Sequence, residues 1–208
     1  MPYVVRPRPR GLKHRITRLL GVTAVALFGL PAAAQAACPA TPTAKVFSAF
    51  GDSAYYSLVS NGAFESGTTG WTLTGAAVAA GNESYKVHAA TDTKSLSISP
   101  TGLAVSPAFC VDIAQPTFRL FAKRTSGTWG QLAVRLRWKD SSGATNETTV
   151  ASLGTGTSWA PSDVLSLGRT LPLWQSSQTL SVQLVFDPED FGGAWAIDDV
   201  YIDPYTRG

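Results

Sequence analysis

The sequence predicts an all-β fold, a single β-sandwich or jelly roll of about 8–10 antiparallel strands behind a cleaved secretory leader. Three observations carry this. Leu132-Ala133-Val134-Arg135-Leu136-Arg137-Trp138-Lys139 sets apolar residues at every second position, the pattern of a half-buried strand. Phe118-Arg119-Leu120-Phe121-Ala122-Lys123 and the run from Leu180 to Phe186 repeat that period. Glycine-containing turn signals punctuate the chain at close spacing, and no long stretch beyond the leader has a 3.6-residue period.

Residues 1–36 read as a signal peptide. Arg6, Arg8, Arg10, Lys13, Arg15 and Arg18 form a basic start, residues 19–30 an apolar run of 12, and Ala34-Gln35-Ala36 a small-residue cleavage site. A membrane span needs about 20 apolar residues, so this run is too short to serve as one. The sandwich domain is then residues 37–208, directed to the cell surface or the medium. Weaker strands are expected at 46–50, 55–59, 71–74, 85–88, 95–98 and 146–153. Turns are expected at Gly67-Thr68-Thr69-Gly70, Gly81-Asn82, Ser126-Gly127, Ser141-Ser142-Gly143, Gly154-Thr155-Gly156 and Phe191-Gly192-Gly193.

Removing the leader reverses the charge. Six of the 17 basic residues leave with it, so 11 face 14 acids, a net charge of −3. Nucleic acid is therefore a poor partner for the exported chain. Its two cysteines, Cys38 and Cys110, most simply pair in an oxidising compartment, the alternative being two buried thiols.

Two short stretches stand apart from the strand pattern. Asn61-Gly62-Ala63-Phe64-Glu65, with Trp71 following, reads as a turn that ends on a carboxylate. Trp195-Ala196-Ile197-Asp198-Asp199-Val200-Tyr201-Ile202 is an apolar strand interrupted by two adjacent acids, which such a strand does not bury without partners. Together these motifs resemble the galactose-binding-like jelly rolls, in particular the carbohydrate-binding modules attached to xylanases and glucanases. The resemblance implies a structural calcium tying the early turn to the last strand. Glu65 and Asp198 would be its side-chain ligands, Asp199 the alternative, and the backbone near Asn61 would complete the shell. A further reading has Asp198 and Asp199 capping loop amides.

The same resemblance implies a non-catalytic protein that binds a glycan or cell-envelope polymer. The alternative is a structural or adhesive module without sugar affinity. The residues expected to meet a ligand are Arg119, Phe121, Arg135, Arg137 and Gln183 on strands and Trp129 in a loop. If the strands of Arg119 and Arg135 are neighbours, they form a basic patch. Trp71, Trp138 and Trp195 read as core, and Trp159 and Trp174 as loop residues.

Catalytic chemistry finds little support. Gly51-Asp52-Ser53 resembles the nucleophile block of the Gly-Asp-Ser lipases and esterases. Those need a base histidine after the serine near the C-terminus, whereas the exported chain has only His88, mid-sequence. His88 by itself cannot build a zinc site once the cysteines are paired. Asp187-Pro188-Glu189-Asp190 reads as a loop rather than as the facing carboxylates of a glycosidase.

Overall fold

A computed structural model describes residues 38–111, 117–154, 156–167, 179–189 and 193–203. The leader, Trp174, Asp190, Phe191 and Gly192 lie outside these residues. Among them are a 3-10 turn (Ser48–Phe50) and eleven strands: β1 (Ser57–Leu58), β2 (Thr72–Ala80), β3 (Lys94–Val105), β4 (Phe109–Val111), β5 (Thr117–Arg124), β6 (Gln131–Lys139), β7 (Thr145–Leu153), β8 (Ala160–Pro161), β9 (Leu165–Ser166), β10 (Leu180–Glu189) and β11 (Trp195–Asp203). All pairings are antiparallel, and the backbone of the sheet runs β7-β6-β10-β3-β11-β5-β8.

The hairpin of β2 and β3 makes the sandwich out of one continuous sheet. The start of β3 pairs with β11 through Leu96–Ile98, and its end pairs with β10 through Ala104 and Val105. Between these halves the ladder with β2 is broken at Gly75. A Cβ on Gly102 would lie 2.5 Å from the Gly75 carbonyl oxygen, and one on Gly75 only 3.1 Å from the Gly102 Cα. Two bare glycines facing each other let the strands cross closely enough to turn the corner.

The predicted alternation sets the core. Phe118, Leu120 and Ala122 of β5, Leu132, Val134 and Leu136 of β6, Val182, Leu184 and Phe186 of β10, and Trp195 and Ile197 of β11 share one buried cluster. Apolar side chains from both halves of the sheet fill the space between them, as in sandwich cores generally. Phe64 and Trp71 enter the same cluster from the early turn, their ring centroids 4.8 Å apart.

A second, smaller core lies on the outward face of β5 and β11. Phe47 packs there against Tyr56, Phe121 and Tyr201. The 46–50 segment is therefore a tight turn instead of the expected strand. Phe47 points onto the sheet, and Gly51, at φ 77°, reverses the chain behind it. A bridge between Ala44 and Tyr56 closes the segment.

Other expectations are also corrected. Residues 85–88 form a loop, because the Glu83 carboxylate takes up the amides of Tyr85 and Val87. Asp187, Pro188 and Glu189 belong to β10, opposite Ala133, Leu132 and Gln131. Pro188 is tolerated because, among the described residues, β6 is the only strand paired with β10 at that position, so no second ladder needs its missing N–H. β5 and β6 are not neighbours, and their basic residues form no joint patch.

Cys38 and Cys110 are disulfide-bonded, closing a sequence separation of 72 residues and pinning the start of the domain to β4. We expect Cys110→Ser to lower unfolding stability by about 2–4 kcal/mol, read as a fall in the urea midpoint. Gly102→Ala is expected to cost about 1–3 kcal/mol in the same measurement, since its Cβ overlaps a backbone oxygen.

Candidate functional site

The acids of the last strand sit on a β-bulge. The register of β11 against β5 shifts between Asp198 and Tyr201, and Asp199 takes a left-handed φ of 49°. An extra residue there lets two consecutive side chains leave the core side of the strand while Ile197 and Val200 remain in it. The early turn grips this bulge through its backbone. The Val59 amide donates to the Val200 oxygen at 2.9 Å, and the Val200 amide donates to the Gly62 oxygen at 3.2 Å. A Cβ on residue 62 would stand 2.8 Å from the Val200 oxygen, which explains the glycine of the motif.

The two acids have different surroundings. Asp198 accepts hydrogen bonds from the amides of Glu83 at 2.8 Å and of Asp199 at 2.9 Å. It thus caps loop amides, one of the two roles the sequence suggests. Asp199 is fully buried, and its carboxylate oxygens form no well-aligned hydrogen bond, the backbone amide of His88 being the donor that faces them. Around it stand Glu83, Asp92 and His88, with the His88 Nδ1 2.6 Å from Asp92 Oδ2. Donor atoms of His88, Asp92 and Asp199 all lie within 4.8 Å of one another.

Burial, and after it the charge of Asp199, push the Asp198 carboxyl up to about 8. Burial, followed by the charge of Glu83, pushes Asp199 up to about 7. Burial also raises the Tyr201 phenol, and the same acids add to the effect.

The calcium ligands implied by the sequence take part in separate hydrogen bonds. Glu65 Oε1 accepts the amides of Thr93 and Lys94, at 2.8 and 2.7 Å, and shares no partner with Asp198. The Asn61 side chain donates to the carbonyls of Gly67 and Thr69 and accepts the Ser66 amide, so it builds its own turn. The side chains of Glu65, Asp198 and Asn61 thus each hold backbone groups. The loop acids Glu83 and Asp92 escaped the sequence reading because nothing in a polar loop marks which carboxylates fold inward.

The expected ligand residues divide between two faces. Arg119 and Phe121 lie beneath the second core: the Arg119 guanidinium contacts Asp52 at 3.1 Å, donates twice to the Ser162 oxygen, and sits 4.4 Å from the Phe47 ring centroid. Neither residue can meet a polymer. Arg135, Arg137 and Gln183 do share one surface, the outward face of β10, β6 and β7. There Arg135 is within 2.7 Å of Asp187 and 3.4 Å of both Glu147 and Glu189, while Arg137 Nε donates to Glu147 at 2.7 Å. At one end of this face a depression of about 280 Å³ is lined by Arg137, Trp138, Lys139, Thr145, Ser181 and Gln183. Trp138, half-buried, packs against the main core as the sequence suggests and also borders this depression. Trp129 is 75% exposed in the β5–β6 loop.

No protein-family model matches the chain, and no curated protein matches it by sequence. Its fold has solved relatives. A xylan-binding domain, CBM22-1, of Paenibacillus barcinonensis Xyn10C is 18% identical with a TM-score of 0.50, over 70% of this chain and 93% of that one. The tandem CBM22-1–CBM22-2 structure of the same protein is 19% identical with a TM-score of 0.50, over 70% and 44% of the two chains. The likeness is one of fold: the chain is an antiparallel β jelly roll like those of these two structures.

The raised carboxyls link stability to pH. Between about 4 and about 8 the folded state retains protons on Asp198 and Asp199 that the unfolded chain releases at the ordinary carboxylate value. In chelator, stability is therefore expected to fall as pH rises through that window. Urea midpoints at its two ends check the sign, and Asp199→Asn should flatten the slope.

Proposed function

We propose that this chain is an exported, non-catalytic module that binds a carbohydrate polymer on the outward face of β10, β6 and β7. One observation carries the reading: the depression there is lined by an aromatic residue, Trp138, together with Arg137, Lys139 and Gln183. A sugar presents apolar C–H faces and a rim of hydroxyls, so its recognition needs both kinds of surface in one concavity. At about 280 Å³ the depression suits a chain end or a short segment of polymer better than a long buried stretch. Lys139 has no ion pair among the described residues, which favours glycans carrying carboxylate or phosphate groups.

Export is supported by the basic leader with its apolar run and by the disulfide. Binding alone is proposed. Asp52 of the Gly51-Asp52-Ser53 stretch holds Arg119 and the Tyr56 hydroxyl, which is a structural use of that carboxylate. The second reading, a spacer or protein-interaction module, draws on Arg135, whose guanidinium is spent on three acids of its own sheet.

Affinity electrophoresis on xylan, β-1,4-galactan, a uronic-acid glycan and a teichoic-type polymer tests the proposal. Retention on at least one is expected. Arg137→Ala and Gln183→Ala should each weaken it about tenfold, near 1.4 kcal/mol, while leaving the melting temperature unchanged. Free migration through every glycan, or retention indifferent to both substitutions, would sink the glycan reading at this face.

A further inference from the structure

We infer that His88, Asp92 and Asp199 form a binding site for a divalent transition-metal ion, with zinc(II) the best match to the donor set. The site lies between the loop joining β2 to β3 and the bulge of β11.

Geometry comes first. One donor atom from each of the three residues lies within 4.8 Å of the others, close enough for a single ion to span them. The decisive group is Asp199. It is fully buried, its two carboxylate oxygens form no well-aligned hydrogen bond, the backbone amide of His88 being the donor that faces it, and it lies against His88 and Asp92. Buried carboxylates elsewhere in this cluster have donors: Asp198 has two amides, and Glu83 has the amides of Tyr85 and Val87. A carboxyl enclosed with so little hydrogen bonding is a position that a bound cation satisfies.

The local charge agrees. Glu83, Asp92, Asp198 and Asp199 converge, and among the described residues His88 is the only basic group paired with any of them. Nearby cations are engaged elsewhere: Lys86 Nζ donates to the Ala90 oxygen, and Arg119 lies against Asp52 and Ser162.

The loop is built to hold its ligands in place. Its Glu83 amide is anchored on Asp198, and the Glu83 carboxylate fixes the two amides just before His88. Such backing of ligand-bearing segments is what orients donors around an ion. The His88 side chain is 38% exposed while that of Asp92 is 6% exposed, so the imidazole forms the solvent side of the site and gives an ion a way in.

The donors choose the class of ion. An imidazole with two carboxylates suits zinc and its neighbours, whereas calcium and magnesium favour shells made wholly of oxygen. Of the calcium ligands that the sequence implied, this group contains only Asp199, the alternative one; Glu65, Asp198 and Asn61 are outside it.

Isothermal titration of the chelator-stripped protein with zinc chloride, with calcium chloride as a parallel arm, tests the inference. We expect one zinc ion per chain and a higher melting temperature on binding. His88→Ala and Asp92→Asn should weaken zinc about 100-fold while Glu65→Ala keeps it. His88→Ala removes a part-exposed side chain, so a folded variant is available even if Asp199→Asn destabilises the bulge. Failure to bind zinc overturns the site, as does zinc binding unchanged by His88→Ala or lost in Glu65→Ala. Calcium bound in preference to zinc, and indifferent to His88, overturns it equally.

Discussion

Two carboxylates buried side by side on a bulge of the last strand are the constraint around which this molecule is arranged. Without the bulge, Asp198 and Asp199 would project to opposite faces, and one of them would enter the main core. With it, Ile197 and Val200 both stay in the core and both acids leave it. The turn at Gly62 clamps the distorted backbone, and the loop carrying Glu83 and His88 folds over the acids. The opening turn, the β2–β3 loop and the last strand thus meet at one place because those acids must be dealt with there.

The two outward faces of the sheet have opposite fates. β5 and β6 both read as apolar strands with basic residues on the other face, and up to that point they are equivalent. Phe47 and Tyr56 cover the outward side of β5, drawing Arg119 into a buried pair with Asp52 beneath an aromatic ring. Nothing among the described residues covers Arg135 and Arg137 in this way. Their charges are met across the sheet by Glu147, Asp187 and Glu189. A charge on an exposed face of this kind is cheap to retain, whereas Arg119 is structural.

The candidate sites were legible only in part. Arg137 and Gln183 were readable because strand periodicity alone sends them outward from a buried alternate set. Asp198 and Asp199 were noticeable because acids interrupt an otherwise apolar run. Glu83, His88 and Asp92 carried no such signal, since they lie in a polar loop whose inward turn depends on contacts with β11, more than a hundred residues away. Phe121 was misread for a related reason: an outward position on a strand is exposed only when no other segment covers it.

What the chain determined alone were the local terms: the period-2 strands, the glycine turns, the pairing of two cysteines, and the two end motifs. The strands, turns and motifs depend on side-chain alternation and backbone conformation within a few residues, and the cysteine pairing on there being just two of them. Only the tertiary structure decided that β3 bends across both halves of the sheet, that β5 and β6 stand apart, that Trp138 borders a cavity, and that Asp199 is left facing His88 and Asp92. Each of these follows from burial and from pairing between distant segments, and no local pattern encodes which segments those are.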